Sequence, residues 1–331
     1  MIYSNLLLNL SNKIFTITGE IEPLKTGSIN EIIQTALTLN GNVTAVNITD
    51  NPQAFAYMSG LFPSYFIQRE IGLEAIYQLT CRDRNRLGLV SDLLAASAAG
   101  IRNVLALTGD HTSLGDNPSA KPVFDLDSVQ LTKMMRSMVD QGIDPNGNKI
   151  ERPPMLHVGV AANPNANPIE PEILKLEKKV GVGAEFVQTQ VVYEIERAKK
   201  FLKETSYLNI PTLIGICPLK SVKMAKWFDK ECPGISIPPE LIERLSVAKE
   251  KRGKAGVIEE NIEIFGEFLK ELRKTTNAAG SHIMAVGFEW IIPKILERAG
   301  LKGAFDWRSL VERELTLEPQ IKIVERHQIQ T

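Results

Sequence analysis

Eight short apolar runs, spaced along nearly the whole chain, limit what it can fold into more than any other feature. They read IFTITGEI (14–21), VTAVNIT (43–49), EAIYQLT (74–80), NVLALTGD (103–110), PMLHVGVAA (154–162), AEFVQTQVV (184–192), PTLIGICP (211–218) and HIMAVG (282–287). Each is too short for a helix, rich in β-branched residues and bounded by Gly, Pro, Asn or Asp, which is the signature of strands. Helical patterns lie between them. SINEIIQTALTL has Ser28 in the N-cap position, LVSDLLAASAAG ends at Gly100, and EPEILKLEKKVG carries Pro171 in its first turn. Strands that alternate with helices pair in parallel through right-handed crossovers. A count of eight predicts a closed α/β barrel of the (β/α)8 TIM type. An open doubly wound sheet is the competitor, but it usually carries a Gly-rich phosphate turn after its first strand, and here that turn reads GEIEPLKTGS.

No linker divides the chain, so residues 1–331 read as one barrel domain with an extended helical crossover at about 219–280. The charged stretch VAKEKRGKAG (247–256) reads as a hinge between two helices of that crossover, and ANPNANP (162–168) as an ordered loop. The apolar stripe of 256–274 is expected to pack either on the barrel or on a second copy of the chain.

Composition excludes several function classes. The 331 residues are 44% hydrophobic and 23% charged with a net charge of -1, which gives no electrostatic case for nucleic acid. No apolar run approaches the roughly 20 residues of a membrane span. The first residues, MIYSNLLLNLSNKIF, lack a basic start and a small-residue cleavage site, so a signal peptide is not expected and the cytoplasm is. The three cysteines, Cys81, Cys217 and Cys232, are far apart and without a CxxC. They predict neither a disulfide framework nor a four-cysteine zinc or iron–sulfur site held by this chain alone.

In barrels of this kind chemistry sits at the C-terminal ends of the strands. Those ends supply Glu20 and Glu22, then Asn47, Thr49 and Asp50, then Gln78, Thr80 and Cys81, then Asp110, Asn163, Gln188 with Gln190, Cys217 and Gly287. His111 is the one histidine expected there. Period two puts Glu20 and Glu22 on one face of the first strand. Glu20 lies deeper, where a charge is costly without a task or a partner, whereas Glu22 reads as solvated. The sixth strand holds no lysine, which argues against a Schiff-base aldolase, and no HxH or HExxH appears, which argues against a zinc hydrolase. What remains is acid chemistry beside amides suited to a flat heterocycle.

Five segments, in order, resemble the methylenetetrahydrofolate reductases: GEIEP, LTCRDRN, GIRNVLALTGD, KLEKKVGVGAEFVQTQ and GICPLKS. The resemblance covers about residues 14 to 300, and its style is similar to the branch found in acetogens and related anaerobes, including archaea. It implies a flavoprotein barrel in the one-carbon metabolism of tetrahydrofolate or tetrahydromethanopterin, an oxidoreductase that converts a methylene-pterin to a methyl-pterin. Glu20 falls on the family's general acid, which protonates N10 of the bridged substrate so that hydride from the flavin reaches an iminium carbon. A carboxyl on an inward position beside an apolar ring can have the raised pKa this task needs. A structural ion pair with a rim lysine is the alternative for Glu20. Asp110 falls on the acid near flavin and substrate, or else caps the turn after strand four. Gln190 falls on the glutamine that bonds the pterin, with Gln188 in support and Glu22 nearby.

The resemblance also implies flavin contacts at Asn47, Thr49, Gln78, Thr80, Leu107, Thr108, Gly109 and Asp110, at Phe124 and Asp125 in the loop from His111 to Ser128, and at Lys175, Lys178 and Lys179 on the helix after strand five. Two positions depart from the family's better-known members: Gln78 replaces a histidine and Thr108 an arginine. FAD remains the first expectation, with FMN or a shifted FAD as the alternative and a flavin-free member as a third. The electron donor is expected to be NAD(P)H, bound directly against the flavin, or an iron–sulfur partner subunit. Two readings from other classes stand beside this one. One is a barrel that passes the methyl group of a methyl-pterin to a corrinoid protein, and the other is a non-catalytic subunit that holds pterin or flavin for a partner.

Overall fold

The computed structural model describes residues 2–231 and 234–301, so Cys232 and the stretch 302–331 lie outside the described residues. Eight strands pair in parallel and in sequence order into a closed barrel: β1 (Thr16–Ile21), β2 (Ala45–Ile48), β3 (Glu74–Thr80), β4 (Asn103–Leu107), β5 (His157–Ala162), β6 (Phe186–Val191), β7 (Thr212–Ile216) and β8 (Gly280–Ile283). The helices are α1 (Asn5–Ser11), α2 (Asn30–Leu39), α3 (Leu61–Phe66), α4 (Arg86–Ala98), α5 (Ser128–Arg136), α6 (Glu170–Gly181), α7 (Ile195–Glu204), α8 (Val222–Glu231), α9 (Pro239–Thr275) and α10 (Ile292–Arg298). The barrel expected from the strand count is the one observed, and the open sheet is excluded by the β1–β8 pairing. Among the described residues no helix is long and apolar enough to cross a membrane.

Local chemistry explains several element ends. Asn85 caps α4, its side chain accepting from the Gly88 N–H at 3.1 Å, and Gly100 follows that helix with φ +84. Asp127 and Gln130 form a capping box on α5, and Pro171 sits in the first turn of α6. The expected N-cap at Ser28 is corrected. The helix starts at Asn30, and Ser28 instead accepts from the Asn30 N–H at 3.3 Å while its own N–H donates to Thr26 Oγ1 at 3.0 Å. Two successive hydroxyl turns therefore lead the chain into the helix.

The last strand also differs from expectation. It runs from Gly280 to Ile283, two residues earlier than the apolar run suggested, because Gly280 and Ser281 pair with both β1 and β7. A Cβ on Gly280 would lie 1.8 Å from the Thr16 carbonyl oxygen, so this entry requires a residue with no side chain. Small residues hid the start of the strand, and beyond its end Met284 and Val286 line the mouth while Ala285 packs in the core.

Two apolar layers enclose the sheet. Outward-facing residues such as Ile17, Ile21, Ile48 and Ile214 pack under the helices. Inside, Leu6 and Leu10 of α1 pack with Ala45, Ile76, Leu105, Phe186 and Leu213 and plug the N-terminal end. Each such buried side chain contributes about 1.5–3 kcal/mol. Glu74 fixes the plug by accepting the Asn5 and Leu6 N–H groups at 2.6 and 3.0 Å. The stripe on α9 (Val257, Phe265, Phe268, Leu269, Leu272) belongs to the barrel's own core, and the helix breaks at Arg252 and Gly253, inside the expected hinge.

Candidate active site

The C-terminal mouth of the barrel holds a cavity of about 630 Å³. A larger one of about 910 Å³ opens at the other end, between α1, α7 and the end of α9, but its walls carry no carboxylate, imidazole or thiol. The mouth gathers Glu20, Glu22, Asn47, Thr49, Gln78, Thr80, Leu107, Thr108, Gly109, Asp110, Gln188 and Gln190, so twelve positions expected at the site share one cavity. Phe55, Tyr57, Met224, Phe228 and Ile235 supply its apolar wall.

Glu20 stands on the inward face of β1 with its side chain 12% exposed. Its partners are not a lysine. Gln78 Nε2 donates to Glu20 Oε2 at 3.2 Å, and His282 Nε2 lies 3.4 Å from the same oxygen. One layer beneath, Thr18 Oγ1 is 3.0 Å from His282 Nδ1 and accepts from Gln188 Nε2 at 3.0 Å. Gln188 and Asn47 exchange amide hydrogen bonds of 2.7 and 3.0 Å and are both buried. The two amides are thus committed to each other, and Gln190, exposed beyond the irregular register of β6, is the glutamine at the open mouth.

Glu22 is half-buried, which corrects the expectation of a solvated side chain. Burial, with the charges of Glu20 and Glu289 beside it, pushes its carboxyl up to about 7. The β1 end therefore sets two acids into the cavity wall rather than one acid and one solvated group.

The two arginines of the LTCRDRN segment, Arg82 and Arg84, are bonded to the loops around the mouth. Arg82 is buried, pairs with Asp83 at 2.8 Å and donates to the carbonyls of Asn51 and Asp110 at 3.0 and 3.2 Å. Arg84 grips Asp50 at 2.8 and 3.1 Å, and Asp50 accepts from the Thr80 N–H and hydroxyl, both at 2.9 Å. These bonds tie together the loops after β2, β3 and β4. Gly109 turns the chain out of β4 with φ +90, where a Cβ would meet Thr80 Cβ at 3.1 Å. Thr108 Oγ1 accepts from the Ser128 N–H at 3.1 Å, which holds the start of α5, and Asp110 is exposed at the rim.

Five expected cofactor residues lie outside the cavity lining. Phe124 stacks on His111 with centroids 6.2 Å apart, and Asp125 pairs with Arg86 at 2.9 Å. Lys175 and Lys178 are exposed on α6. Lys179 is buried and donates to the Ala161 carbonyl at 2.6 Å, and burial, with Lys175 nearby, brings its ammonium down to about 8. Sequence reasoning missed His282, because the last strand was placed two residues late. It also missed the loop Asn51–Tyr57, where Asn51, Gln53 and Ala54 all take positive φ and Asn51 Oδ1 holds the Tyr57 N–H at 2.9 Å. The Asn-Pro pair at 51–52 marks that turn in the sequence.

One buried group of the lining would be free to meet a flavin ring. Thr49 Oγ1 is buried in the lining with no hydrogen-bond partner among the described residues. For phosphates the lining offers Arg82 alone among lysines and arginines, and Arg82 is already bonded. Among the described residues, no group of three His, Cys, Asp or Glu side chains is placed to hold a metal ion.

Comparison with known proteins gives a consistent result. The family model for methylenetetrahydrofolate reductase matches residues 6–300. The chain is 25% identical over 245 residues to methylenetetrahydrofolate reductase 1 of Schizosaccharomyces pombe, covering 71% of this chain and 37% of that protein. It is 27% identical over 164 residues to the 5,10-methylenetetrahydrofolate reductase of Salmonella typhimurium, covering 49% of this chain and 50% of that one. The chain thus spans half or less of the length of these curated relatives. Among solved structures, an uncharacterized Clostridium thermocellum protein that binds two copies of 5-methyl-5,6,7,8-tetrahydrofolic acid superposes with a TM-score of 0.57 at 18% identity, covering 88% of this chain and 97% of that one. EDTA monooxygenase from Chelativorans superposes at 0.54 with 9% identity, covering 88% of this chain and 95% of that one. At these identities the structural likeness is one of fold.

Proposed function

We infer the function from one premise: the chain belongs to the methylenetetrahydrofolate reductase family. The proposed reaction is reduction of a 5,10-methylene-tetrahydropterin, either tetrahydrofolate or tetrahydromethanopterin, to the 5-methyl form, with Glu20 as general acid. The single observation that carries it is the placement of Glu20. It is a mostly buried carboxyl in the mouth of a closed barrel, held at one oxygen by Gln78 and His282 and bordered by an exposed glutamine amide.

In this reading Glu20 delivers a proton to N10 of the bridged pterin, the C–N10 bond breaks, and the N5 iminium left behind accepts hydride at its carbon. Gln190 orients the pterin through its amide, and Phe55, Tyr57, Met224 and Phe228 exclude water around it. Asp110 at the rim stabilises the cationic iminium. A bound flavin supplies the hydride, with Thr49 and the Gly109 turn as the residues that would hold its ring and Lys175 and Lys178 as the exposed cations for its phosphate end. The weak supply of cations in the lining leaves FAD and FMN both open to the proposal. The electron donor is proposed to be NAD(P)H or an iron–sulfur subunit.

The test is spectroscopic. Purified protein is expected to carry a yellow chromophore that bleaches with dithionite and recovers on adding the methylene-pterin. A colourless protein that binds methyl-pterin and passes its methyl group to a corrinoid protein would replace the reductase with a methyltransferase.

A further inference from the structure

The hydrogen bonds beneath Glu20 run in one direction, and that direction fixes a proton. Asn47 and Gln188 pair reciprocally, and Gln188 then donates its remaining amide hydrogen to Thr18 Oγ1 at 3.0 Å. A hydroxyl has one hydrogen to give. Thr18 is buried and its hydroxyl has two partners among the described residues, the Gln188 amide nitrogen, which can only donate, and His282 Nδ1 at 3.0 Å, so its own hydrogen is left unpaired unless Nδ1 accepts it. An imidazole that accepts at Nδ1 and stays neutral carries its hydrogen on Nε2, and Nε2 faces Glu20 Oε2 at 3.4 Å. Glu20 is the one carboxylate within ion-pair distance of His282 among the described residues. Asp50 is taken by Arg84, while Glu22 and Asp110 stand higher in the same lining and Arg82 pairs with Asp83.

We propose that His282 is the positioning residue of the catalytic acid: the Asn47–Gln188–Thr18 relay locks its ring as the Nε2–H tautomer, which with Gln78 saturates Glu20 Oε2 and leaves Oε1 as the oxygen that carries the transferable proton. Two donors converge on Oε2, from β3 and from β8, so a proton on that oxygen would meet two hydrogens already aimed at it. Oε1 is free of this conflict. The strand register gives the arrangement its rigidity, because Thr18 pairs with His282 across β1 and β8 and Glu20 pairs with Asn47 across β1 and β2. The proposal deepens the reading of Glu20 as general acid and rests on it for its catalytic meaning.

The experiment uses the whole protein labelled with 15N-histidine, with whatever it binds on purification. His282 is assigned by loss of its signals in His282→Asn. At neutral pH its Nδ1 is expected to resonate as a bare nitrogen and its Nε2 as a protonated one. Hydrogen on Nδ1, or on both nitrogens, would overturn the proposal, since it means that Thr18 accepts from the ring instead of donating to it or that the ring is an imidazolium. Thr18→Val removes the hydroxyl at nearly constant volume. It is expected to give a mixture of tautomers and a fall in methylene-pterin reduction of roughly ten- to a hundredfold, with Thr18→Ser restoring both. A Thr18→Val protein that keeps one tautomer and the wild-type rate would equally overturn it. A purely packing role for Thr18 would lower stability without changing the ring nitrogens. The tautomer reading needs no turnover, so a wild-type protein inactive on every methylene-pterin would defeat the reductase reading alone.

Discussion

At the closed end of the barrel, Ala45, Ile76 and Phe186 pack with Leu6 and Leu10, whereas two residues further along the same strands Asn47, Gln78 and Gln188 turn hydrogen-bonding groups into the same interior. Period two stacks one layer on the other. The lower layer needs only volume and apolarity, so many residues could fill it. Each member of the upper layer must meet a partner of the right polarity, because an unpaired buried polar group costs about 1–3 kcal/mol. The difference teaches where apolar packing and hydrogen bonding are separated in this molecule: the plug holds the barrel shut while the layer above it holds the Glu20 carboxyl in place.

The largest test of that separation is Glu20→Gln. It is expected to lower methylene-pterin reduction by roughly 10²–10⁴-fold, the usual contribution of general acid catalysis, with an unchanged urea midpoint. A variant that keeps its rate would show that the upper layer has no catalytic task. Phe186→Ala is the mirror experiment. It should cost about 3–5 kcal/mol in urea unfolding while the rate per folded molecule stays put, and a collapse of the rate would show that the layers are coupled.

Glu22→Gln sharpens the comparison through pH. The Glu22 carboxyl rises from its ordinary 4.5 to about 7 in the folded protein. Between those values the folded chain keeps a proton that the unfolded chain has released, so stability falls as pH climbs through the window. The substitution should flatten that slope and leave the variant about 3 kcal/mol more stable than wild type above pH 7, read from urea curves at several pH values. Parallel curves would return Glu22 to solvent. The smallest expected effect is Gly109→Ala, which forces a side chain into φ +90 against Thr80. It should cost about 1 kcal/mol in thermal unfolding, confined to the turn at the rim. A neutral result would show that the rim turn has room to relax.

Much of this was legible in the residues. The eight runs carried the barrel because β-branched segments between helical patterns have few other ways to bury both faces. GEIEP carried Glu20 to the mouth because alternation along a strand is geometric. Less legible was Glu22, since the burial that chiefly raises its carboxyl comes from walls contributed by other strands, and Glu289, which adds to the charge of Glu20, lies far along the chain. Lys179 looked like its neighbours Lys175 and Lys178, yet the helix turns it inward onto the Ala161 carbonyl. His282 was hidden because Gly280 and Ser281 have no strand signal of their own and are drawn into the sheet by β1 and β7.

By itself, then, the sequence determined the barrel and the placement of the Glu20 carboxyl at the C-terminal end of its first strand, since both follow from periodicity along the chain. Only the tertiary structure decided what each polar group meets: Gln78 and His282 at one oxygen of Glu20, Asn47 against Gln188, Arg82 and Arg84 spent on loops. Hydrogen-bond partners in a closed barrel come from strands up to 264 residues apart, as with Thr18 and His282, and their choice depends on register and closure, which no local pattern encodes.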